Sequence, residues 1–592
     1  MIDATSPANR RAYAAPKARM SIRNRLILAA VVIVGWWPWV VAAPGIATYR
    51  PVTDQRLGNP STPNWLMYRG TYDGWGFHPA DLINTTNVKH LVPLWRFSTG
   101  ETGGHQSPPI VNAGVMFITT PQNQVIALDA TTGDLLWRYR RDLPNDIRSR
   151  HPSNRGVGLY NDMVYLATLD SHLVALDAKT GQVVWDKTVD DYTKGYYMTL
   201  APLVAKGKAL VGVAGGEYGM RGYIAAFDAR TGDQLWKTYT IPGPGEPGHD
   251  TWSGESWRTG GASAWMTGHY DPFLNLAYWG TGSATPWPAD AHPGDNLHAN
   301  SVLALDVDTG KRQAHFQFQW NTSSGWDEVS TPLLIRLPRD GHTIDALVHP
   351  ARNGYLWLLQ RSADAITFLD ARPYVKQNVF TGIDPQTGRP SYHPERRLTY
   401  GKTVSLCPSI WGGKHWPAAA YNPGTGYLYI PANENLCSTV EGKRTPYKAG
   451  QFFLGIDQTT VKLTVTEGAT HIGELQAWDL KTLQKAWTQT FTSPNWGSVL
   501  TTAGGLVFMG GTTDQYFRAF DAKTGEAMWE FRTNSGVTGV PISYGRIGVQ
   551  YIAVQSGWGA EAQAMQTQLD AVLGTKTTVP QDGVAWVFGL PE

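Results

Sequence analysis

A pattern of eleven positions, Ala-x-Asp-x-x-x-Gly-x-x-x-Trp, recurs intact four times in this chain, and few folds can use it. It stands at Ala127/Asp129/Gly133/Trp137, Ala175/Asp177/Gly181/Trp185, Ala226/Asp228/Gly232/Trp236 and Ala519/Asp521/Gly525/Trp529. Each copy reads as a strand, a tight turn and a return strand. Val174 and Leu176 alternate with smaller or polar neighbours, as a strand does. The Asp opens the turn by accepting hydrogen bonds from N–H groups just ahead of it. The Gly takes the position where φ is positive. The Trp starts the return strand with a ring that must be buried. Decayed copies sit at Ala304/Asp306/Gly310/Ala314 and at Ala477/Asp479/Leu483/Trp487. A faint copy runs through Gln360, Asp364 and Phe368.

The front copies are about 50 residues apart, the scale of one propeller blade. A single small sheet cannot bury both of its faces, whereas a ring of sheets can. The repeated Trp is therefore expected between neighbouring blades, its indole N–H bonded to a nearby carbonyl. Residues 91–97 form a strand whose expected partner is 583–589, so that the two ends of the fold close the ring without an exposed edge. Counting that closing unit with the repeats predicts an all-β fold: an eight-bladed β-propeller of four-stranded antiparallel blades over residues 63–592. The longest repeat-free span, 369–470, is rich in Pro, Gly and Asn and is expected to add loops over one face of the disc.

A net charge of +2, with Lys and Arg scattered, argues against a nucleic-acid partner, which would need a basic patch. Residues 1–25 carry Arg10, Arg11, Lys17, Arg19, Arg23 and Arg25, and 26–43 are nearly all apolar and end in small residues. This reads as a secretory signal over 1–43. The rival reading is an uncleaved membrane anchor, which would give membrane association through this segment. Either one places the folded part outside the cytoplasm, with the periplasm as the expected location. Residues 44–62 read as a linker. Export permits a disulfide, and Cys407 and Cys437 are the two cysteines. Two buried free thiols are the other possibility.

Residues 64–71 with Tyr72-Asp73-Gly74, Gly215-Gly216-Glu217-Tyr218-Gly219-Met220-Arg221-Gly222, Gly280-Thr281-Gly282, Pro293-Gly294-Asp295-Asn296, Cys407-Pro408-Ser409 and Trp496-Gly497 together carry a resemblance. The chain resembles the quinoprotein alcohol and methanol dehydrogenases, which bind pyrroloquinoline quinone (PQQ). The resemblance implies an eight-bladed propeller with PQQ and a divalent cation, usually Ca²⁺, in the central funnel. It implies Asp327 as the catalytic carboxylate, and Glu217 and Asp327 beside the metal. Arg155 and Thr199 match contacts to the cofactor's carboxylates, and Gly215 and Gly216 belong to the cofactor-binding loop. Trp265 matches the ring on which the quinone stacks, Arg352 the cation beside its reactive oxygens, and Trp496 an aromatic near its edge. Cys407 and Cys437 match a disulfide of relatives.

Several positions depart from the family pattern. Gln106 stands where Glu is usual, Ser283 where an Asn binds the metal, His415 where an Asn approaches the quinone, and Ala214 where Ser is usual. Ser149-Arg150 lies near the place of two adjacent cysteines. Val329 occupies the position of a second Asp found in lanthanide-using relatives, which points to Ca²⁺.

Alcohol oxidation by a quinone needs a base for the hydroxyl proton and a cation beside the oxygen that gains negative charge. Asp327 suits the first role, and Arg352 with Ca²⁺ the second. No Cys-x-x-Cys-His haem site is present, so electrons would pass to a separate carrier such as a cytochrome c or a membrane quinone. The expected activity is a periplasmic PQQ-dependent alcohol dehydrogenase acting on a small alcohol. The competing expectation is a cofactor-free propeller serving as a binding or assembly scaffold, favoured by Gln106, Ser283 and His415.

Overall fold

The repeated turn forms as its residues dictate. Asp177 Oδ1 accepts from the backbone N–H groups of Lys179 and Thr180 at 3.0 and 2.9 Å. Asp129, Asp228 and Asp521 make the same pair of bonds two and three residues ahead. Gly181 has φ +73°, and a Cβ there would lie 2.5 Å from the Trp137 ring. Gly232 faces Trp185, Gly310 faces Trp236 and Gly525 faces Trp487 in the same way. Each Trp thus covers the turn glycine of the following repeat, and the close approach leaves no room for a side chain. The indole N–H of Trp137 donates to Ala178 O at 3.0 Å, that of Trp236 to Val307 O at 3.0 Å, and that of Trp529 to Leu91 O at 2.9 Å. In the decayed copy Leu483 takes the turn position at φ +52°.

The computed structural model describes Ile46 and residues 49–591, apart from Arg150 and Asp340. The signal or anchor expected at 1–43 lies outside the described residues, as does Arg150 of the Ser149-Arg150 pair. Among the described residues, seven antiparallel sheets have four strands. An eighth has five, because Phe77–His78 adds in parallel to Leu500–Thr502. Within a sheet the middle strands, such as Val115–Thr119 and Gln124–Asp129, are buried on both faces, while the outer strand Leu135–Arg140 alternates. That gradient is what sheets stacked face to face require. The strand Val92–Thr102 pairs with Asp582–Gly589, in register from Val92 opposite Gly589, as the closing strand was expected to do.

Two expectations need refining. The turn at Asp364 lacks the Asp-to-backbone pair of the repeat; Ser362 Oγ instead bonds Asp364 Oδ1 and accepts from Ala365 N. The true next copy is Asp384/Gly388, in the hairpin of Phe380–Ile383 and Pro390–Tyr392. Asp384 Oδ1 accepts from Gln386 N and Thr387 N, and Gly388, at φ +73°, packs under Phe368. Phe368 therefore does the work of the missing Trp. The stretch read as a linker is, over its described part, packed on the sheets. Val52 exchanges backbone bonds with Asn161, and Leu57 of helix α1 (Asp54–Gly58) is buried.

The span 369–470 holds that hairpin and a three-stranded sheet of Thr403–Leu406, Leu436–Glu441 and Lys462–Val465. Helix α2 (Ala560–Leu573) packs against the last of these strands. Cys407 and Cys437 form a disulfide with S–S 1.98 Å across a separation of 30 residues. Closing a loop of that length removes denatured-state entropy worth about 3.5 kcal/mol. The Cys407→Ser/Cys437→Ser protein is expected to lose that much, read as a lower Tm, and unreduced wild type should take up no alkylating reagent by mass spectrometry.

Candidate active site

The loop that presents Asp327 is fixed from behind. Trp326 is fully buried, and its indole N–H donates to Ser409 O at 2.7 Å. Gly325, at φ +68°, lies under the Trp287 ring, which leaves no space for a Cβ. The Asp327 carboxylate then meets two donors: Ser283 N at 2.7 Å on Oδ1 and Trp265 Nε1 at 2.9 Å on Oδ2. Arg352 Nη1 stands 3.8 Å from Oδ2, and a quarter of the Asp327 side chain remains accessible (25%). A carboxylate so oriented and still reachable has the properties of a general base.

Arg352 is held by its backbone and by its tip. Its N–H donates to Glu328 Oε2 at 3.1 Å, and Nη2 donates to Ile410 O at 3.0 Å. Burial draws its guanidinium pKa down, while Asp327 and Glu328 oppose that shift. Glu328 is itself satisfied by His349 Nε2 at 3.0 Å and Gln319 Nε2 at 3.0 Å. This buried carboxylate was not singled out by the sequence; next to Asp327 it reads as an ordinary acidic loop residue.

Gly215, at φ +111°, sits against Gly195 O, and the tight turn it permits projects Glu217. Tyr197 O–H donates to Glu217 Oε1 at 2.7 Å. Burial, and then the neighbouring Glu217, push the Tyr197 phenol well above its ordinary pKa, so it remains a donor. Arg155 is buried and donates from Nη1 to Thr199 Oγ1 at 2.6 Å. Its guanidinium lies 4.9 Å from the Trp265 ring centre and 5.0 Å from that of Trp416, a cation–π sandwich. His415 lies 6.1 Å from Trp265, ring to ring, tilted by 35°. Burial first, then Arg352 and other cations, hold its pKa well below the ordinary value, so the ring is neutral.

Nine of the twelve expected contact residues line one cavity: Arg155, Thr199, Gly216, Glu217, Trp265, Ser283, Asp327, Arg352 and His415. Three do not reach its wall. Gly215 acts through the turn. Trp496 packs behind His415 at 5.2 Å and beside Trp411 at 5.8 Å. Gln106 packs beside Gly104 and Gly559, at the start of α2, with its buried Oε1 unpartnered. The wall also includes Ala214 and residues that no local pattern marked, among them Tyr197, Ser263, Trp287, Trp411 and Glu561. Glu561 comes from α2, far along the chain from every motif.

Several buried polar atoms at this wall have no partner within the protein: Ser283 Oγ, His415 Nδ1, and Nε of both Arg155 and Arg352. Native structures rarely leave such atoms unpaired, so their convergence fits a polar ligand. Two guanidiniums, a flat indole face and a hydroxyl match a planar polycarboxylate. Among the described residues no group of three or more His, Cys, Asp or Glu side chains converges as a complete metal site.

The antiparallel sheets thus bring an acid, two arginines and an indole around one cavity. The profile described as PQQ glucose/ethanol/alcohol dehydrogenase β-propeller domain matches residues 65–366 and 367–552. The quinoprotein alcohol dehydrogenase PedH of Pseudomonas putida is 37% identical over 596 residues, covering 96% of each chain. The lanthanide-dependent methanol dehydrogenase of Methylacidiphilum fumariolicum is 33% identical, covering 89% of this chain and 90% of its own. Among solved structures, a europium-containing methanol dehydrogenase superposes with TM-score 0.85 at 33% identity, over 91% of this chain and 100% of its own. The chain belongs to the PQQ-dependent alcohol dehydrogenase family of quinoprotein oxidoreductases.

Proposed function

We propose that this protein is a periplasmic dehydrogenase that oxidises a small alcohol with PQQ and Ca²⁺, on a closed ring of eight blades. The observation that carries the reading is the Asp327 carboxylate, held by two N–H donors beside Arg352 and open to the cavity. The residues that would hold the cofactor are Arg155, Thr199 and Arg352 at its oxygens and Trp265 at its ring. When bound, PQQ supplies an electrophilic quinone carbonyl that takes up hydride. Asp327 removes the hydroxyl proton as the hydride leaves carbon. Arg352 places fixed positive charge where negative charge develops. Neutral His415 is limited to one hydrogen-bond donor and fills the space beside Trp265.

Glu217, Ser283 and Asp327 are the oxygen donors available to a cation. Ca²⁺ takes six to eight oxygens, so the cofactor would supply the remainder. Val329 supports Ca²⁺ over a lanthanide, because its buried apolar side chain adds no ligand and packs in a cluster with Trp411 and Trp416. Export is supported by the basic and then apolar start of the sequence and by the Cys407–Cys437 bridge. Electrons would leave to a separate carrier, such as a cytochrome c, since the sequence has no haem-attachment motif.

The test is a calorimetric titration of PQQ into cofactor-free protein with and without Ca²⁺. The expected result is tight binding with Ca²⁺ only and a higher Tm for the loaded form, followed by dye reduction with primary alcohols. A well-folded protein that binds PQQ in neither titration would be a scaffold instead.

A further inference from the structure

The cavity wall contains a carboxylate that the reaction described above does not use. Glu561 lies in the first turn of α2, its side chain only 6% exposed, on the same cavity as Asp327. One oxygen, Oε1, lies 3.0 Å from His151 Nδ1. The other, Oε2, is buried without a partner. The side chain is not free to swing out to water. Ala562, Met565 and Leu569 anchor the helix in the apolar cluster of Trp411, Trp416 and Trp558. Asp570 ties its far end to Thr577 N at 2.7 Å.

Charge sets the kind of ligand that fits. Glu217, Asp327 and Glu561 line the cavity against the guanidiniums of Arg155 and Arg352. On the reading proposed above, a tricarboxylate cofactor with one divalent cation adds further negative charge. An anionic group would be repelled at Oε2, and an apolar group would leave it unpaired. A donor, best of all a cationic one, forms a charge-assisted bond.

We infer that Glu561 selects primary alcohols that carry an ammonium group at the end remote from the reacting hydroxyl. A site built to bond such a group discriminates strongly against the analogue lacking it. The inference rests on the alcohol-dehydrogenase reading, and the experiment separates the two.

Three alcohols of one length serve as probes: 3-amino-1-propanol, 1,3-propanediol and 1-butanol. With protein loaded with PQQ and Ca²⁺, kcat/KM is expected to be at least tenfold higher for the amino alcohol than for 1-butanol, with the diol between them. Glu561→Leu should reduce that ratio tenfold or more, and the isosteric Glu561→Gln should retain part of the diol preference while losing most of the amine preference. A ratio that is the same in wild type and Glu561→Leu overturns the inference while leaving the alcohol-dehydrogenase reading intact. Inactivity on all three alcohols overturns that reading instead. The role of Glu561 is then decided by calorimetric titration of 3-amino-1-propanol, where tenfold weaker binding to Glu561→Leu supports it and equal binding overturns it.

Discussion

Asp327→Asn is expected to keep PQQ bound and to lower kcat about a thousandfold, the usual scale for losing a positioned base. The amide matches the carboxylate in shape but cannot take the hydroxyl proton. It also cannot satisfy both of its neighbours. With its oxygen on Ser283 N, its NH₂ faces the indole N–H of Trp265, donor against donor. The effect should therefore fall on the reductive half-reaction, seen as slow bleaching of the bound quinone after mixing with alcohol. Calorimetric affinity for PQQ should change by far less than the rate. A kcat within tenfold of wild type would show that another group takes the proton.

Lys414→Met is expected to remove a pH dependence from stability. Lys414 is buried, donating from Nζ to Ser330 Oγ at 3.0 Å and to His415 O at 2.9 Å. Burial lowers its pKa to about 7; Glu328 opposes the fall, while Arg352 and Arg69 add to it. Such a fall from 10.5 corresponds to a cost on the order of 5 kcal/mol. Below pH 7 the ammonium is charged in both states and the whole cost is present. Between about pH 7 and 10.5 the unfolded chain holds a proton that the folded chain lacks, so stability rises with pH through this window. Methionine carries no such cost, although it forfeits the two hydrogen bonds. Urea unfolding of both proteins from pH 6.5 to 9.5 should show a difference in stability that shifts steadily in favour of wild type as pH rises. Parallel curves would rule out a titrating Lys414.

The blades were legible because their signal is local and repeated. An Asp that bonds the N–H groups ahead of it, a glycine at positive φ and a tryptophan eleven positions from the start can be read wherever they occur. The copy at Asp384/Gly388 escaped because Gly382 stands in the Ala position and Tyr392 in the Trp position, so only the Asp and Gly of the pattern remain. The placing of Asp327, Arg155 and Trp265 on one cavity came from motif resemblance, since nothing in their separate surroundings brings them together. Glu328, Lys414 and Glu561 were illegible for a related reason. Each is defined by burial and by partners distant in sequence, such as His349, Ser330 and His151. A single sequence shows the residue type but not the desolvation.

Pairing Val92–Thr102 with Asp582–Gly589 also dictates the order of events during synthesis. The front sheets can collapse as soon as their own hairpins emerge, because their contacts are close in sequence. The early strand, however, has no ladder until residues 582–589 are made, and the Trp529 indole, which emerges much later, finds its acceptor at Leu91. Until then the nascent chain exposes an unpaired β-edge, a template for other chains. That pairing is thus a late step, and it is the stage at which a holding chaperone has the most to protect.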